Sequence, residues 1–329
     1  PERIVFSGVG KTADEMAYAL KAGIHQFNVE SAGELELLSQ VAAGLGLEAP
    51  IALRVNPDVA AGGHPNISTG KQGDKFGVAW AEAEGLYARA ADLPGIRVVG
   101  VDVHIGSQIG DITPMRAAFE KTVGLAKRLR EQGHNIERID VGGGLGIPYK
   151  ASDAPAPPSA YAAMIAEVTA DLGVQVILEP GRVISCNAGV MPSRALYLKD
   201  APDRTFLIID AGMNDLMRPA LYQAHHDILP VAERAEGAVD TTYDVVGPIC
   251  ESTDKFAVAR EMPAVESGDV IAFMSAGAYG AVLSSAYNAR PLVAEVLVNG
   301  AEYAVVRKRP SFEEMIALEK VPDWLTETP

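Results

Sequence analysis

Six short β-branched runs, each followed by or alternating with a stretch of helical spacing, fill the first half of the chain and leave it few ways to fold. The runs cover 4–7, 26–30, 51–56, 98–105, 138–141 and 176–179, and the helical stretches 13–22, 32–43, 79–91, 114–132 and 159–172. Strand, helix, strand at this spacing predicts βα units and a parallel sheet. Helices cover such a sheet, so its strands read as nearly continuous apolar runs rather than alternating ones. Polar residues gather where the runs end: Asn28 and Glu30, Arg54 and Asn56, His104 and Ser107, Gly142 to Gly144, Glu179 and Arg182. Chemistry collected at the C-terminal ends of parallel strands is the signature of a (β/α)8 barrel.

The count is six units, and a barrel needs eight. An open, doubly wound sheet is the alternative. Pro1-Glu2-Arg3 reads as a loop leading straight into a strand, so the expectation is a TIM-like barrel whose first two βα units lie before Pro1. After Asn187 the pattern changes. Strand-like runs at 193–198, 205–210, 243–247, 269–274, 293–298 and 303–307 follow one another, mostly without a long helix between them, and 311–318 reads as a short closing helix. This predicts a C-terminal β-barrel or sandwich, with domains at 1–187 and 188–329. The proline-rich stretch 154–158 is a loop inside the first domain, and there is no internal repeat.

Composition narrows the function classes. A net charge of −15 argues against a nucleic-acid partner, and no apolar run reaches the roughly 18 residues that a membrane span needs. Cys186 and Cys250 form neither a metal-spacing motif nor a disulfide framework, which makes a reduced, cytoplasmic setting the expectation.

Asp140-Val141-Gly142-Gly143-Gly144-Leu145-Gly146 is the sharpest motif. Three residues without side chains let backbone amides turn toward an anion and let it come close. A tight turn explains one glycine more easily than three. Glu179-Pro180-Gly181-Arg182 ends the next strand. A carboxylate there can keep a pyridine nitrogen protonated, and Arg182 can grip a phosphate or carboxylate with both arms; a Glu179–Arg182 ion pair is the plainer alternative. His104 can lie against a planar ring or be an ordinary core histidine, and Ser107 can donate to a phosphate. Arg218 and Tyr222, four apart, suit an anionic substrate; a surface arginine and a core tyrosine are the alternative. Cys250-Glu251 offers a thiol beside a carboxylate, for proton donation or for an ammonium group, or else a half-buried structural cysteine. Tyr279 sits on a glycine-rich turn that can face a phosphate. His225-His226 looks like a metal pair but lacks a third ligand at a suitable spacing, so no metal is expected. Gly8-Val9-Gly10-Lys11-Thr12 fails as a nucleotide loop, because Val5 stands where the first glycine is required.

Taken together, Asp74-Lys75-Phe76-Gly77, His104-Ile105-Gly106-Ser107-Gln108, Gly142-Gly143-Gly144-Leu145-Gly146, Glu179-Pro180-Gly181-Arg182, Arg218-Pro219-Ala220-Leu221-Tyr222, Cys250-Glu251-Ser252 and Ala278-Tyr279-Gly280 resemble, in order, the fold-type III pyridoxal-phosphate decarboxylases, most nearly their diaminopimelate-specific branch. The resemblance implies pyridoxal 5′-phosphate as cofactor and an amino-acid substrate, meso-2,6-diaminopimelate, that is decarboxylated to L-lysine. It implies that His104 stacks on the cofactor ring, that Ser107, Gly142, Gly143, Gly144, Gly181 and Arg182 surround the phosphate, and that Glu179 meets the ring nitrogen. Arg182, Arg218 and Tyr222 would hold the substrate's distal carboxylate, and Tyr279 the phosphate or substrate. Cys250, as proton donor, and Glu251 would enter a neighbouring subunit's site in a homodimer. The cofactor-bearing lysine of that family sits in a Tyr-Ala-x-Lys-Ala type motif that this sequence lacks; Lys11, Lys71 and Lys75 stand in other contexts. The expectation is that the lysine precedes Pro1 and that the chain alone does not bind the cofactor covalently. Decarboxylases of ornithine, arginine or carboxynorspermidine, and a non-catalytic regulatory relative, are the alternatives; the two arginines speak for a substrate with a second carboxylate.

Overall fold

The computed structural model describes residues 1–60, 75–232 and 239–326. It divides into one unit of 1–148 with 153–183 and another of 149–152 with 184–329. Lys71 and Asp74 lie outside the described residues. No helix among the described residues is long and apolar enough to cross a membrane.

The first unit runs β1 (Val5–Phe6), α1 (Ala13–Ala22), β2 (Gln26–Val29), α2 (Ala32–Leu45), β3 (Ala49–Asn56), β4 (Val78–Ala79), α3 (Ala83–Ala91), β5 (Ile96–Asp102), α4 (Thr113–Glu131), β6 (Arg138–Asp140), α5 (Pro158–Thr169) and β7 (Gln175–Ile177). Its strands form one parallel sheet in the order β1-β2-β3-β5-β6-β7, with β4 extending β3. The sheet curls. Arg138 of β6 donates to the backbone carbonyl of His25 at 2.7 Å, and the His25 ring meets Gln175 of β7 at 3.1 Å, so the residue before β2 is bonded to strands three and four places away. The parallel sheet predicted from the sequence is present as a curled sheet, with β1 and β7 each bonded along one edge.

Helix periodicity explains the outer layer. In α4, Met115, Ala118, Phe119, Thr122, Val123, Leu125, Ala126 and Leu129 recur at three- and four-residue steps and are the buried face. Central β3 is buried on both faces, as a strand under two layers must be, whereas β1 and β7 are at most half-buried. Thr12 caps α1 and closes a box with Glu15, and Lys11 turns inward to Glu34 (2.7 Å), the Gly8 carbonyl (2.8 Å) and the Asn28 carbonyl (2.7 Å). Gly8–Thr12, which mimics a nucleotide loop, therefore serves as a helix cap and an internal staple.

Helix α6 (Arg182–Ser185) begins in the first unit and ends in the second, which then contains β8 (Met191–Ala201), β9 (Arg204–Ile209), α7 (Arg218–Tyr222), β10 (Ile228–Pro230), β11 (Asp240–Val246), β12 (Lys255–Pro263), β13 (Val270–Phe273), the hairpin β14 (Glu295–Asn299) and β15 (Glu302–Arg307), α8 (Phe312–Ile316) and α9 (Asp323–Thr326). A six-stranded sheet, β10-β13-β8-β9-β11-β12, is antiparallel except for β9 with β11; the hairpin is a separate sheet. The expected barrel or sandwich is thus a mixed sheet plus a hairpin. Strands β10 and β12 were not foreseen. They are the two edges, each carries a terminal proline (Pro230, Pro263), and edge strands lack the apolar alternation that marks a covered strand.

Tyr87 of α3 shows how helix and sheet are locked. The β3–β5 register slips between Ile51 and Ala52, passing from Val98 to Gly100, and this bulge interrupts the ladder. The Tyr87 hydroxyl donates to the Gly100 carbonyl at 2.8 Å and accepts from the Leu53 amide at 3.3 Å, in full burial. Tyr87→Phe leaves a buried donor and acceptor unmatched, and should cost about 2–3 kcal/mol in urea unfolding; a loss under 0.5 kcal/mol would show that the hydroxyl is dispensable.

Candidate active site

The first unit brings its expected site residues together at the C-terminal ends of its strands. Asp102 closes β5, Asp140 closes β6, and Glu179 follows β7; the carboxyl oxygens of all three lie within 4.8 Å of one another. The Asn28 amide, from β2, donates to Asp140 at 2.9 Å and to Glu179 at 3.4 Å, and the Ser7 hydroxyl donates to Glu179. Burial, with Asp140 and Glu179 beside it and Arg54 only partly compensating, raises the Asp102 carboxyl well above the ordinary range. Burial and Glu179 likewise raise Asp140, against the bonds from Asn28 and the Gly142 amide. Both Asp102 oxygens are buried without a hydrogen-bond partner, as suits a protonated acid rather than a bare charge. A buried ion pair, Arg54 with Glu30 at 2.8 Å, flanks the cluster, and Glu30 also accepts from the Gly77 amide at 3.0 Å.

The glycines are required by close approach. A Cβ on Gly143 would collide with the Glu179 carbonyl and one on Gly144 with the Gly106 carbonyl; at Gly142 it would lie 2.7 Å from the Val103 carbonyl and 2.8 Å from His104 Nδ1. Gly142 and Gly144 also take positive φ, 64° and 100°. The expectation of three amides turned to an anion needs correction. The Gly142 N–H is given to Asp140 at 2.9 Å and the Gly143 N–H to His104 Nδ1 at 3.1 Å. These bonds leave one of the three amides, that of Gly144, for an anion. A cavity of about 200 Å³ adjoins this turn, lined by Gly142, Gly143, Gly144, Tyr161, Gly181 and Arg182 among others.

The bond from Gly143 fixes His104 with Nδ1 as acceptor. Burial, helped by Arg54, pushes its pKa down to about 4, so the ring is neutral at physiological pH. Arg182 is buried and donates to Ser107 Oγ at 3.1 Å, so Ser107, Arg182 and the glycines share one mouth, and Glu179 is bonded to Ser7 and Asn28 instead of forming the Glu179–Arg182 pair that the sequence also allowed.

The second unit carries the other candidates on loops that hydrogen bonds tie to one another. Asp254 accepts from the Ile249 amide (2.7 Å) and the Met213 amide (2.6 Å), fixing the turn with Cys250 and Glu251 against the turn before α7. Tyr287 donates to Glu251 at 2.7 Å, and the Ser285 amide donates to the Asn214 carbonyl at 2.9 Å. Arg218 and Tyr222 are the first and last residues of α7. Arg218 is buried, contrary to a surface arginine, and Tyr222 is half-buried. Cys250 is exposed and free, which overturns the half-buried structural reading. Tyr279 holds a positive φ of 57°, uncommon for an aromatic residue. The sequence assigns no role to Ser7 or Asp102, and names Asp140 only as the acid that opens the glycine motif. The signal for the two aspartates was a lone acid closing a β-branched run, Val101-Asp102 and Ile139-Asp140; Ser7 had none.

Residues 1–186 match the family model described as pyridoxal-dependent decarboxylase, pyridoxal binding domain. The chain is 50% identical over 329 residues to a diaminopimelate decarboxylase of Zymomonas mobilis, covering 99% of this chain and 77% of the relative. Diaminopimelate decarboxylase of Helicobacter pylori, solved in complex with L-lysine, superposes with a TM-score of 0.92 at 40% identity, over 97% of this chain and 79% of that one. The enzyme from M. jannaschii, also in complex with L-lysine, does so with a TM-score of 0.92 at 36% identity, over 99% and 76%.

The chain belongs to the diaminopimelate decarboxylase family. Its cofactor is pyridoxal phosphate, and the site fits that group: the turn of Gly142 to Gly144, where a Cβ would clash, lines a cavity with Arg182, and the Gly142 amide ties the turn to Asp140 of the carboxyl cluster. Two outcomes are expected of this diaminopimelate decarboxylase family site. Gly143→Ala should lose about 2–3 kcal/mol in urea unfolding, since the strand-end backbones must separate; wild-type stability would refute the close approach. The second concerns pH. A histidine whose folded pKa is about 4, against 6.5 unfolded, contributes stability that is complete above about 6.5 and lost as pH falls toward 4. His104→Gln should flatten the fall in Tm between pH 6.5 and 4, by up to roughly 3 kcal/mol of pH-dependent stability; an unchanged slope would exclude His104 as its source.

Proposed function

We propose that the chain decarboxylates meso-2,6-diaminopimelate to L-lysine and CO2, the last step of lysine biosynthesis, at the strand-end site of its parallel sheet. The observation that carries this reading is the glycine turn, which lines a cavity and is bonded to Asp140 and to the Glu179 backbone of the carboxyl cluster. Bound there, pyridoxal phosphate supplies an electron sink for the pair freed when the carboxylate leaves.

The remaining roles belong to this chain's own residues. The Gly144 amide, Gly181, Ser107 and Arg182 hold the phosphate, and Gly142 and Gly143 serve by lacking side chains. Neutral His104 lies against the ring without adding charge. Glu179 keeps the proton on the ring nitrogen. Burial and its acidic neighbours raise Asp102 well above the ordinary range, so Asp102 is the acid of the cluster that is held protonated and adds no charge beside the ring. Arg182, Arg218 and Tyr222 bind the distal carboxylate, and Tyr279 closes on phosphate or substrate. Cys250 donates the proton to the α-carbon, and Glu251 receives an ammonium group.

The exposure of Cys250 and Glu251 on a hydrogen-bonded turn suits a homodimer in which they enter the neighbouring subunit's site. The two half-buried edges, β1 and β7, suit a (β/α)8 barrel completed by two further βα units between them, and the two free cysteines suit the cytoplasm.

The test is CO2 release from meso-diaminopimelate, ornithine and arginine by the full gene product with pyridoxal phosphate. Release from meso-diaminopimelate alone supports the reading; release from ornithine or arginine instead overturns it. Glu179→Ala should lower kcat at least about 100-fold with a modest change in KM. Arg218→Ala should raise the KM for meso-diaminopimelate about 10- to 100-fold, because a charge-assisted pair is lost.

A further inference from the structure

Of the three acids in the strand-end cluster, Asp102 alone has both carboxyl oxygens buried without a hydrogen-bond partner among the described residues. Strand register sets it in a row, opposite Arg54 of β3 on one side and Asp140 of β6 on the other, so the three side chains share one face of the sheet. Arg54 is spent elsewhere: Nη1 goes to Glu30 at 2.8 Å and Nη2 to the His104 carbonyl at 3.5 Å. The other two acids are served. Asp140 accepts from the Gly142 and Asn28 amides, each at 2.9 Å, and Glu179 accepts from the Ser7 hydroxyl and from Asn28. Gln26 donates to Asn28 Oδ1 at 2.7 Å, which turns the Asn28 amide nitrogen toward both acids.

The spacing of the cluster suits a water molecule. One carboxyl oxygen from each acid lies within 4.8 Å of the other two, and the centre of a triangle with sides of that length is about 2.8 Å from each corner, an ordinary O–H···O distance. Three polar partners are what a buried water usually has. Water gives two hydrogens and takes one, so one carboxylic acid and two carboxylates match it. A metal ion suits the place less, because Asn28, Ser7 and Gly142 already direct donors at two of the carboxyl groups. Among the three, the proton belongs on Asp102. Burial holds it neutral, Asp140, Glu179 and Glu30 add to that, and Arg54 opposes it; Tyr87 of α3 is also near.

We propose that Asp102 is a positioning residue for Glu179: as a neutral acid it donates to a water molecule bound between the three carboxyl groups, and that water donates to Glu179 and Asp140. This rests on the reading of Glu179 as the partner of the ring nitrogen. The Glu179 carboxyl is then held by Ser7 and Asn28 from one side and by the water from another, so it cannot turn away from the ring it serves. The water in turn needs the Asp102 hydrogen, since both of its own are given away. An apolar side chain at position 102 leaves the water without a donor and loosens Glu179. Asparagine offers an N–H in place of the O–H and preserves the arrangement without a titratable group.

The experiment uses the full gene product with pyridoxal phosphate. The infrared spectrum at neutral pH, wild type minus Asp102→Asn, should show the carbonyl stretch of a protonated carboxylic acid. Crystals of the wild type should show one water within hydrogen-bonding distance of Asp102, Asp140 and Glu179. Asp102→Leu should lower kcat for meso-diaminopimelate about 10-fold with KM changed less than about threefold, and Asp102→Asn should recover most of that kcat. A spectrum without the acid stretch, a metal ion in place of the water, or a kcat unchanged in Asp102→Leu while Glu179→Ala lowers it, overturns the positioning role alone. A kcat unchanged in Glu179→Ala overturns the reading of Glu179 and this role with it. Should Asp102→Leu fail to fold, the acid stretch and the kcat of Asp102→Asn still decide: the role requires the first to be present and the second to be near that of the wild type.

Discussion

The contact between the ends of β6 and β7 is the constraint on which the first unit's site depends. Gly143 passes so close to the Glu179 carbonyl that no side chain fits, and the Glu179 amide donates to the Gly142 carbonyl at 2.8 Å. This one approach places the glycine turn, the Glu179 carboxyl and the buried Arg182 on a common rim. Loosening it by a methyl group would move the acid relative to the cavity, and sites of this kind tolerate little such movement.

Charge is handled differently in the two units. In the first, acids are crowded until Asp102 is raised well above the ordinary range and Asp140 to about 6, and the nearby Arg54 is paired with Glu30. In the second, the buried Arg218 meets the His226 ring nitrogen and lies over the Tyr149 ring.

Much of this was legible in the sequence. The βα alternation gave the central strands and helices to within a few residues, since buried parallel strands and amphipathic helices carry strong periodic signals. The glycine run and Glu179–Arg182 stood out because their chemistry is local. What the sequence hid was pairing at a distance. Nothing near Ser7 or Asn28 announces that they converge on Asp140 and Glu179, and the amides of Gly142 and Gly143 looked available for an anion until Asp140 and His104 were seen to take them. His226 was weighed as a metal ligand because its neighbour is a histidine. Its real partners, Arg218 and Met274, are 8 and 48 residues away.

Tyr279, with its φ of 57°, has a consequence for how this chain can change. A left-handed backbone costs a residue with a Cβ roughly 1 kcal/mol, and glycine or asparagine would avoid most of it. Selection for thermal stability alone would therefore drift position 279 away from tyrosine. A tyrosine that persists there is kept for its ring, and in a stability screen of this enzyme the gains at that position are the ones to distrust.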